Sequence, residues 1–270
     1  MQKNSPKRLL VNKRKLLNKL MDKAFPILAN PPIVVAICQI KFPVGSIPLD
    51  GFMKFDAQIK RRYPIRVDNI NAEIGVPNEI KLGENPFTGT SRARINAHDY
   101  RTKEQDLKFH LSEDSIIVSD EQPYTSWNNF KEKILFVLNT YSELLEGKNI
   151  ERVSIRFINR FIFDTFDDPS DYFNILISTS EGHDFDYDVV KYGFRLAMAI
   201  PDSDISSIVN HNLESSPSQK YIYTLDIDVL DHTQLVFNKD TIEAQLDNLN
   251  SILTGIFFNN VTDKTTELCN

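Results

Sequence analysis

The stretch from Arg152 to Phe163, RVSIRFINRFIF, constrains the fold more than any other, because its apolar and polar residues alternate. Alternation with a period of two is typical of a β-strand with one buried face, since successive side chains point to opposite sides. One side of this predicted strand is therefore core, and the other offers a row of arginines. The core side carries Val153, Ile155, Phe157, Asn159, Phe161 and Phe163, and the other side carries Arg152, Ser154, Arg156, Ile158, Arg160 and Ile162.

Two long amphipathic patterns predict helices that close the two halves of the chain. Ser126 can cap the first helix, which runs from Trp127 to about Glu146 and ends at Gly147. Apolar residues at helical spacing predict the second helix from about Thr241 to Phe258. Shorter patterns predict helices over 49–62 and 170–176, and strands over 33–42, 65–76, 91–101, 108–111, 115–119, 189–200, 206–212 and 221–230.

The order of these elements is the same in both halves: strand, helix, about four strands, helix. We therefore predict an α+β fold built as a tandem duplication, with a first repeat over 31–150 and a second over 151–270. The helices would cover one face of a long antiparallel sheet and leave the other face partly open. This layout is that of the TATA-binding-protein-like fold, an analogy of architecture that implies no function.

The formal net charge of −6 hides a basic N-terminal arm, residues 1–30. Residues 1–23 carry eight lysines and arginines against one acid, so this part is +7 and the remainder −13. Leucines at near-helical spacing over 7–25 predict an amphipathic helix. It could pack on its own domain or a neighbouring subunit, contact a partner or nucleic acid, or lie on a membrane surface. The acidic remainder disfavours indiscriminate nucleic-acid binding, so any polyanion contact must be local.

Cysteine usage and hydropathy predict a cytoplasmic protein. Cys38 and Cys269 are the only two cysteines, and they provide neither a disulfide framework nor metal-site spacing. No apolar run approaches the roughly 20 residues of a membrane-spanning helix. The N-terminal segment also lacks the apolar core and cleavage site of a secretory signal.

Alternation on further strands extends the row of arginines into a predicted anion- or partner-binding face. In the strand over 91–100, the even positions are Arg92, Arg94, Asn96, His98 and Tyr100. Arginine presents a planar fork suited to phosphate or carboxylate groups. The competing interpretation is that aspartates pair with the arginines across strands and the face is simply solvated. The predicted face contains Arg92, Arg94, Arg156, Arg160, Lys191 and Arg195, with Asp226 and Asp228 nearby.

Catalytic motifs give no comparable signal. Asp226 and Asp228 could hold a divalent cation, but hard cations need six or more oxygen ligands and the sequence offers no marked companions. The five histidines show no metal-binding spacing, and the chain contains no GxSxG, Walker or GxGxxG motif. We therefore predict no cofactor and favour a protein without enzymatic activity.

Several short motifs, in order along residues 31–270, resemble a sporadically distributed family of uncharacterised prokaryotic proteins of about this length. Val35, Gln39 and Asn250 depart from the family pattern. The motifs that carry the resemblance are Pro31-Pro32-Ile33-Val34, Trp127 with Phe130, Arg156-Phe157-Ile158-Asn159-Arg160, Leu225-Asp226-Ile227-Asp228, and Phe258 before Thr262-Asp263.

The resemblance implies an accessory component of the horizontally exchanged gene content that includes anti-phage defence, and it implies no particular reaction. Together with the residues, it favours a non-enzymatic binding or regulatory protein that uses the arginine-bearing face or the basic arm. A protein partner or self-assembly is the first expectation, with a nucleotide or nucleic acid as further candidates. Two alternatives stay open: a metal-dependent nuclease or nucleotide hydrolase, and a structural subunit of a larger assembly.

Overall fold

The computed structural model describes residues 25–74, 91–121, 123–166, 168–175, 191–215 and 220–270, with only the backbone for 71–74 and 91–94. Most of the predicted basic arm, including nearly all of the helix expected over 7–25, lies outside these residues. The predicted ends at 75–76, 176 and 189–190 lie outside them as well.

Each strand predicted from alternation forms within these ranges, and two short strands were not predicted. The two short strands, β6 and β11, pair with each other in a separate small sheet. The strands are β1 (Ile33–Lys41), β2 (Ile65–Ile74), β3 (Ser91–Arg101), β4 (Leu107–Ser112), β5 (Ser115–Asp120), β6 (Asn149–Ile150), β7 (Arg152–Phe163), β8 (Lys191–Ala199), β9 (Ile205–Ser215), β10 (Tyr221–Asp231) and β11 (Leu235–Val236).

The other nine strands form one sheet in the order β2-β3-β4-β5-β1-β7-β10-β9-β8. All neighbouring strands in this sheet are antiparallel. The predicted α+β class with a large antiparallel sheet is therefore confirmed. The strands of the two halves meet where β1 pairs with β7, which places the arginine-bearing strand in the middle of the sheet.

Two long helices pack against the same face of this sheet. α3 (Trp127–Thr140) packs on β5 and α5 (Lys239–Asn260) packs on β7 and β10, while the two helices also contact each other. The Ser126 Oγ accepts a hydrogen bond from the backbone N–H of Asn129 at 3.2 Å, which satisfies one donor at the start of α3. No helix in the described part of the chain has the length and apolar character needed to cross a membrane.

The shorter helices differ from the sequence expectations. The helix predicted over 49–62 is interrupted by a 3₁₀ turn at Met53–Phe55, and the helix predicted over 170–176 is only a 3₁₀ turn at Pro169–Asp171. There the Asp168 carboxylate accepts a hydrogen bond from the Ser170 N–H at 2.8 Å, which favours a capped turn. The remaining helices are α1 (Leu49–Phe52), α2 (Asp56–Ile59), α4 (Ser142–Leu145) and α6 (Asp263–Leu268).

The core lies between the sheet and the helices, and it contains one buried ion pair. The Lys133 Nζ of α3 donates to the Asp120 carboxylate at the end of β5 over 2.6 Å, with side chains only 9% and 5% exposed. Such a pair links helix to sheet, and removal of either charge would leave the other buried without this partner.

Candidate functional site

The central strand β7 shows the alternation that the sequence indicates. Phe157, Asn159 and Phe161 are buried on the side that faces the helices, while Arg160 and Ile162 are exposed on the other side. We call the sheet face away from α3 and α5 the open face. Within the described residues no helix or strand packs over it.

The open face is cationic although the whole chain is acidic. Among its strand positions with described side chains, eight are lysines or arginines and four are carboxylates, a net charge of +4 in a chain of −6. This excess concentrates positive potential on one surface, which favours an anionic ligand there. The cations are Lys41, Arg101, Lys108, Arg152, Arg156, Arg160, Lys191 and Arg195, and the carboxylates belong to Asp99, Glu214, Asp226 and Asp228.

Arg156 and Asp226 form the best-defined contact of this face. The Arg156 Nε and Nη2 each donate to one Asp226 oxygen at 2.7 Å, and the Asn210 amide adds a third hydrogen bond at 3.0 Å. These hydrogen bonds raise the pKa of Arg156 above its ordinary value. The bidentate geometry fixes the orientation of the guanidinium relative to Asp226, and the Arg156 side chain stays 41% exposed. The predicted pairing of an aspartate with an arginine is thus present, and it orients the guanidinium at the surface.

Asp228 lies directly opposite Arg156 in the register of β7 and β10. Its Oδ1 is buried and accepts no hydrogen bond from any described residue. Burial raises the pKa of this carboxyl group to about 6, against the lowering effect of Arg156. The centre of the open face therefore contains a carboxylate that gains a proton in mildly acidic solution.

Arg160 and Arg195 are further exposed arginines of this face. Neither forms an ion pair with a described residue, whereas the Lys191 Nζ lies 4.0 Å from Glu214. β8, which carries Lys191 and Arg195, is three strands from β7, or roughly 14 Å at the usual strand spacing. These cations share one face but span a wide surface, which suits an extended ligand.

Arg92 and Arg94 lie much farther away. β3 is four strands from β7, roughly 19 Å, and lies on the other side of β7 from β8, so the predicted set is spread over most of the sheet. Their backbones pair with Glu73 and Asn71, and their side chains lie outside the described residues.

The alternation read for 91–100 is wrong at its C-terminal end. His98 and Tyr100, expected on the open face, are buried on the helix side, where the Tyr100 hydroxyl donates to Asp56 at 2.7 Å. The pairing of β2 with β3 skips Asn96, so the residues before and after this irregularity change sides. One extra residue in a strand inverts the alternation, and the sequence pattern does not reveal it.

Of the two candidate metal ligands, Asp226 and Asp228, the first is engaged in an ion pair. Both Asp226 oxygens accept hydrogen bonds from Arg156, so their lone pairs point at a guanidinium. Among the residues that the structure describes, no three His, Cys, Asp or Glu side chains are grouped so that they could hold a metal ion.

A second concave site was not predicted from the sequence. A groove of about 330 Å³ lies on the helix side of the sheet, between residues 26–33, the start of α3 and residues 250–258 of α5. Phe157 and Asn159 of β7 line it as well. Its walls come from segments that are distant in the sequence, so no local pattern indicates that they meet.

Comparison of this chain with family models, with curated proteins and with solved structures finds no match.

Proposed function

We propose that this chain is a non-enzymatic binding protein that engages an anionic partner through the open face. The observation that carries the proposal is the net positive charge, in an acidic chain, of a sheet face over which no described helix or strand packs. Exposed Arg160 and Arg195 supply donors, and Arg156 is held in place by Asp226. An extended polyanion can span such a surface, because charges spread over several strands act together.

The alternative of a metal-dependent nuclease or nucleotide hydrolase has less support. That activity would use Asp226 as a ligand, and this carboxylate is already engaged by Arg156. The cellular setting that the family resemblance implies, an accessory role in anti-phage defence in the cytoplasm, remains a prediction that rests on the quoted motifs alone.

We further propose that the two halves are a tandem repeat with the TATA-binding-protein-like layout. In support, the first strands of the halves, β1 and β7, are neighbours in the middle of the sheet. The last long strand of each half, β5 or β10, lies beside the first strand of its own half. The halves are not identical, because the first contributes five described strands to the sheet and the second contributes four.

The binding proposal is tested with the double variant Arg160→Glu/Arg195→Glu. Fluorescence anisotropy with labelled single-stranded DNA, ATP and polyglutamate identifies which class of anion binds. We expect the variant to weaken binding of the preferred probe by about tenfold or more, and wild-type affinity to fall as salt increases. The matched control is Lys54→Glu/Arg61→Glu, which changes the net charge equally at exposed positions outside the open face.

Equal affinities of the two double variants would contradict the proposal, as would failure of all three probes to bind wild-type protein at low salt. Circular dichroism and thermal unfolding establish that both variants are folded. Because Arg156 is left intact, loss of its ion pair with Asp226 cannot explain a weaker affinity.

One edge of the sheet supports the other alternative, that the chain is a structural subunit of a larger assembly. β8 is the last strand in the described sheet, and its Leu196 and Met198 are 44% and 38% exposed. An edge strand with exposed apolar side chains is a template for another chain. If this edge is an interface between copies, light scattering on wild type will show an oligomer, and Leu196→Lys will reduce its mass.

A further inference from the structure

The groove on the helix side differs from the rest of the molecular surface in its charge. Among the described residues that line it there is no lysine, arginine, aspartate or glutamate, although 25% of the chain is charged. Apolar and aromatic side chains dominate it, among them Ile33, Tyr124, Trp127 and Leu253. A concave, mainly apolar site of this size is typical of pockets that hold a small molecule.

Asn159 is the polar group at the base of this groove. It occupies a position of β7 between the buried Phe157 and Phe161, where alternation calls for an apolar residue, and it is only 1% exposed. Its Nδ2 donates to the Leu225 carbonyl at 3.0 Å, with a longer contact of 3.4 Å to the Phe157 carbonyl. Since the amide nitrogen must face these carbonyls, the orientation of the Asn159 side-chain amide is determined.

The amide oxygen of Asn159 therefore points away from those carbonyls. No hydrogen bond within the described residues reaches Asn159 Oδ1, and the residue lines the groove. This oxygen is not among the fully buried unpaired atoms of the described residues, so it is open to the groove and can accept a hydrogen bond from a molecule bound there. The groove thus combines an apolar lining with one acceptor at its base.

We propose that this groove binds a small, neutral, aromatic ligand whose single N–H or O–H group donates to Asn159 Oδ1. The described lining has no charged side chain that could form an ion pair with a ligand, which favours a neutral one. The volume of about 330 Å³ suits one ring system rather than an extended chain. Tyr124, Trp127 and Phe157 supply aromatic surfaces against which a planar ligand can pack.

This proposal does not depend on the proposed function, because the groove and the open face lie on opposite sides of β7. Asn159 and Arg160 are neighbours in sequence, yet one is buried on the helix side and the other is exposed on the open face. A ligand in the groove would leave the arginines of the open face free to bind an anion.

The test uses indole and 1-methylindole, which have nearly the same shape and differ in the N–H donor. Ligand-observed saturation-transfer NMR on the full chain measures both dissociation constants. We expect indole to bind and 1-methylindole to bind about threefold to tenfold more weakly, the usual contribution of one hydrogen bond. Equal affinities, or no indole binding at millimolar concentration, would overturn the proposal.

Variants of α5 locate the site. Thr254→Phe and Asn250→Phe each place a large ring in the groove, and either change should abolish the indole signal. Ala244→Phe adds the same ring at an exposed position of the same helix outside the groove and should leave binding unchanged. Two blocking variants are included so that one remains informative if the other fails to fold. Retained indole binding in a folded blocking variant contradicts the proposed location.

Discussion

The two faces of the central sheet differ in how far their ion pairs are exposed to water. On the helix side, the ion pair of Lys133 and Asp120 is almost wholly buried. On the open face, Asp226 is equally buried but its partner Arg156 is 41% exposed. Water can therefore replace a lost partner on the open face but not under the helices. Similar ion pairs in one sheet therefore have different roles. The covered pair of Lys133 and Asp120 links a helix to the sheet, whereas the pair of Arg156 and Asp226 orients a guanidinium at the surface.

The sharpest way to test this comparison is to break the covered pair. We expect Lys133→Ala to lower the free energy of unfolding by about 3–5 kcal/mol, because it leaves the Asp120 carboxylate buried without its cation. Urea denaturation measures the change. The double variant Asp120→Asn/Lys133→Met removes both charges and should recover much of the loss. A loss below about 1 kcal/mol for Lys133→Ala would show that the covered pair is no more important than a surface pair.

On the open face, substitution of Asp228 is expected to change the free energy of unfolding by a smaller amount and to increase it. The pKa of Asp228 is raised to about 6 in the folded protein, so folding favours the protonated carboxyl. Its ionised form is therefore destabilising above about pH 6, and this cost disappears as the pH falls towards the ordinary pKa near 4. We expect Asp228→Asn to raise the free energy of unfolding by about 1–2 kcal/mol at pH 8 and to have less effect near pH 4.5.

The control for Asp228 is the neighbouring carboxylate on the same strand. Asp226→Asn weakens the ion pair with Arg156 and should destabilise the protein at pH 8. Urea denaturation of both variants at pH 8 and pH 4.5 separates the two roles. A stability gain for Asp228→Asn that is the same at both values would show that the titration of this group is not its cause.

The smallest effect is expected at the exposed arginine of β7. Arg160→Glu should change the free energy of unfolding by no more than about 0.5 kcal/mol, because no described residue forms an ion pair with Arg160. Thermal unfolding measures the change. A large destabilisation would mean that Arg160 has a structural role, and it would weaken the case that this face is kept for binding.

Sequence reasoning was most successful where the signal is local. The alternation of β7 and the cap at Ser126 each depend on residues within one element, and both β7 and the start of α3 form as predicted. The helix predicted to continue to about Glu146 is interrupted at Tyr141, and α4 follows as a separate short helix. The strand pattern over 91–100 shows the limit of this reasoning. An irregularity at Asn96 in the pairing of β2 with β3 inverts the alternation, and only the partner strand reveals it.

What the sequence by itself determined is the α+β class, the long helices and the arginine-bearing face of one strand, because periodicity is a property of neighbouring residues. Only the tertiary structure decided which groups meet. The register of β7 with β10 places Asp228 directly opposite Arg156, yet Arg156 bonds to the diagonal Asp226, and neither strand by itself reveals this choice. The groove likewise joins residue 26 to residue 258, and contacts over such separations follow from strand order and helix packing rather than from any local pattern.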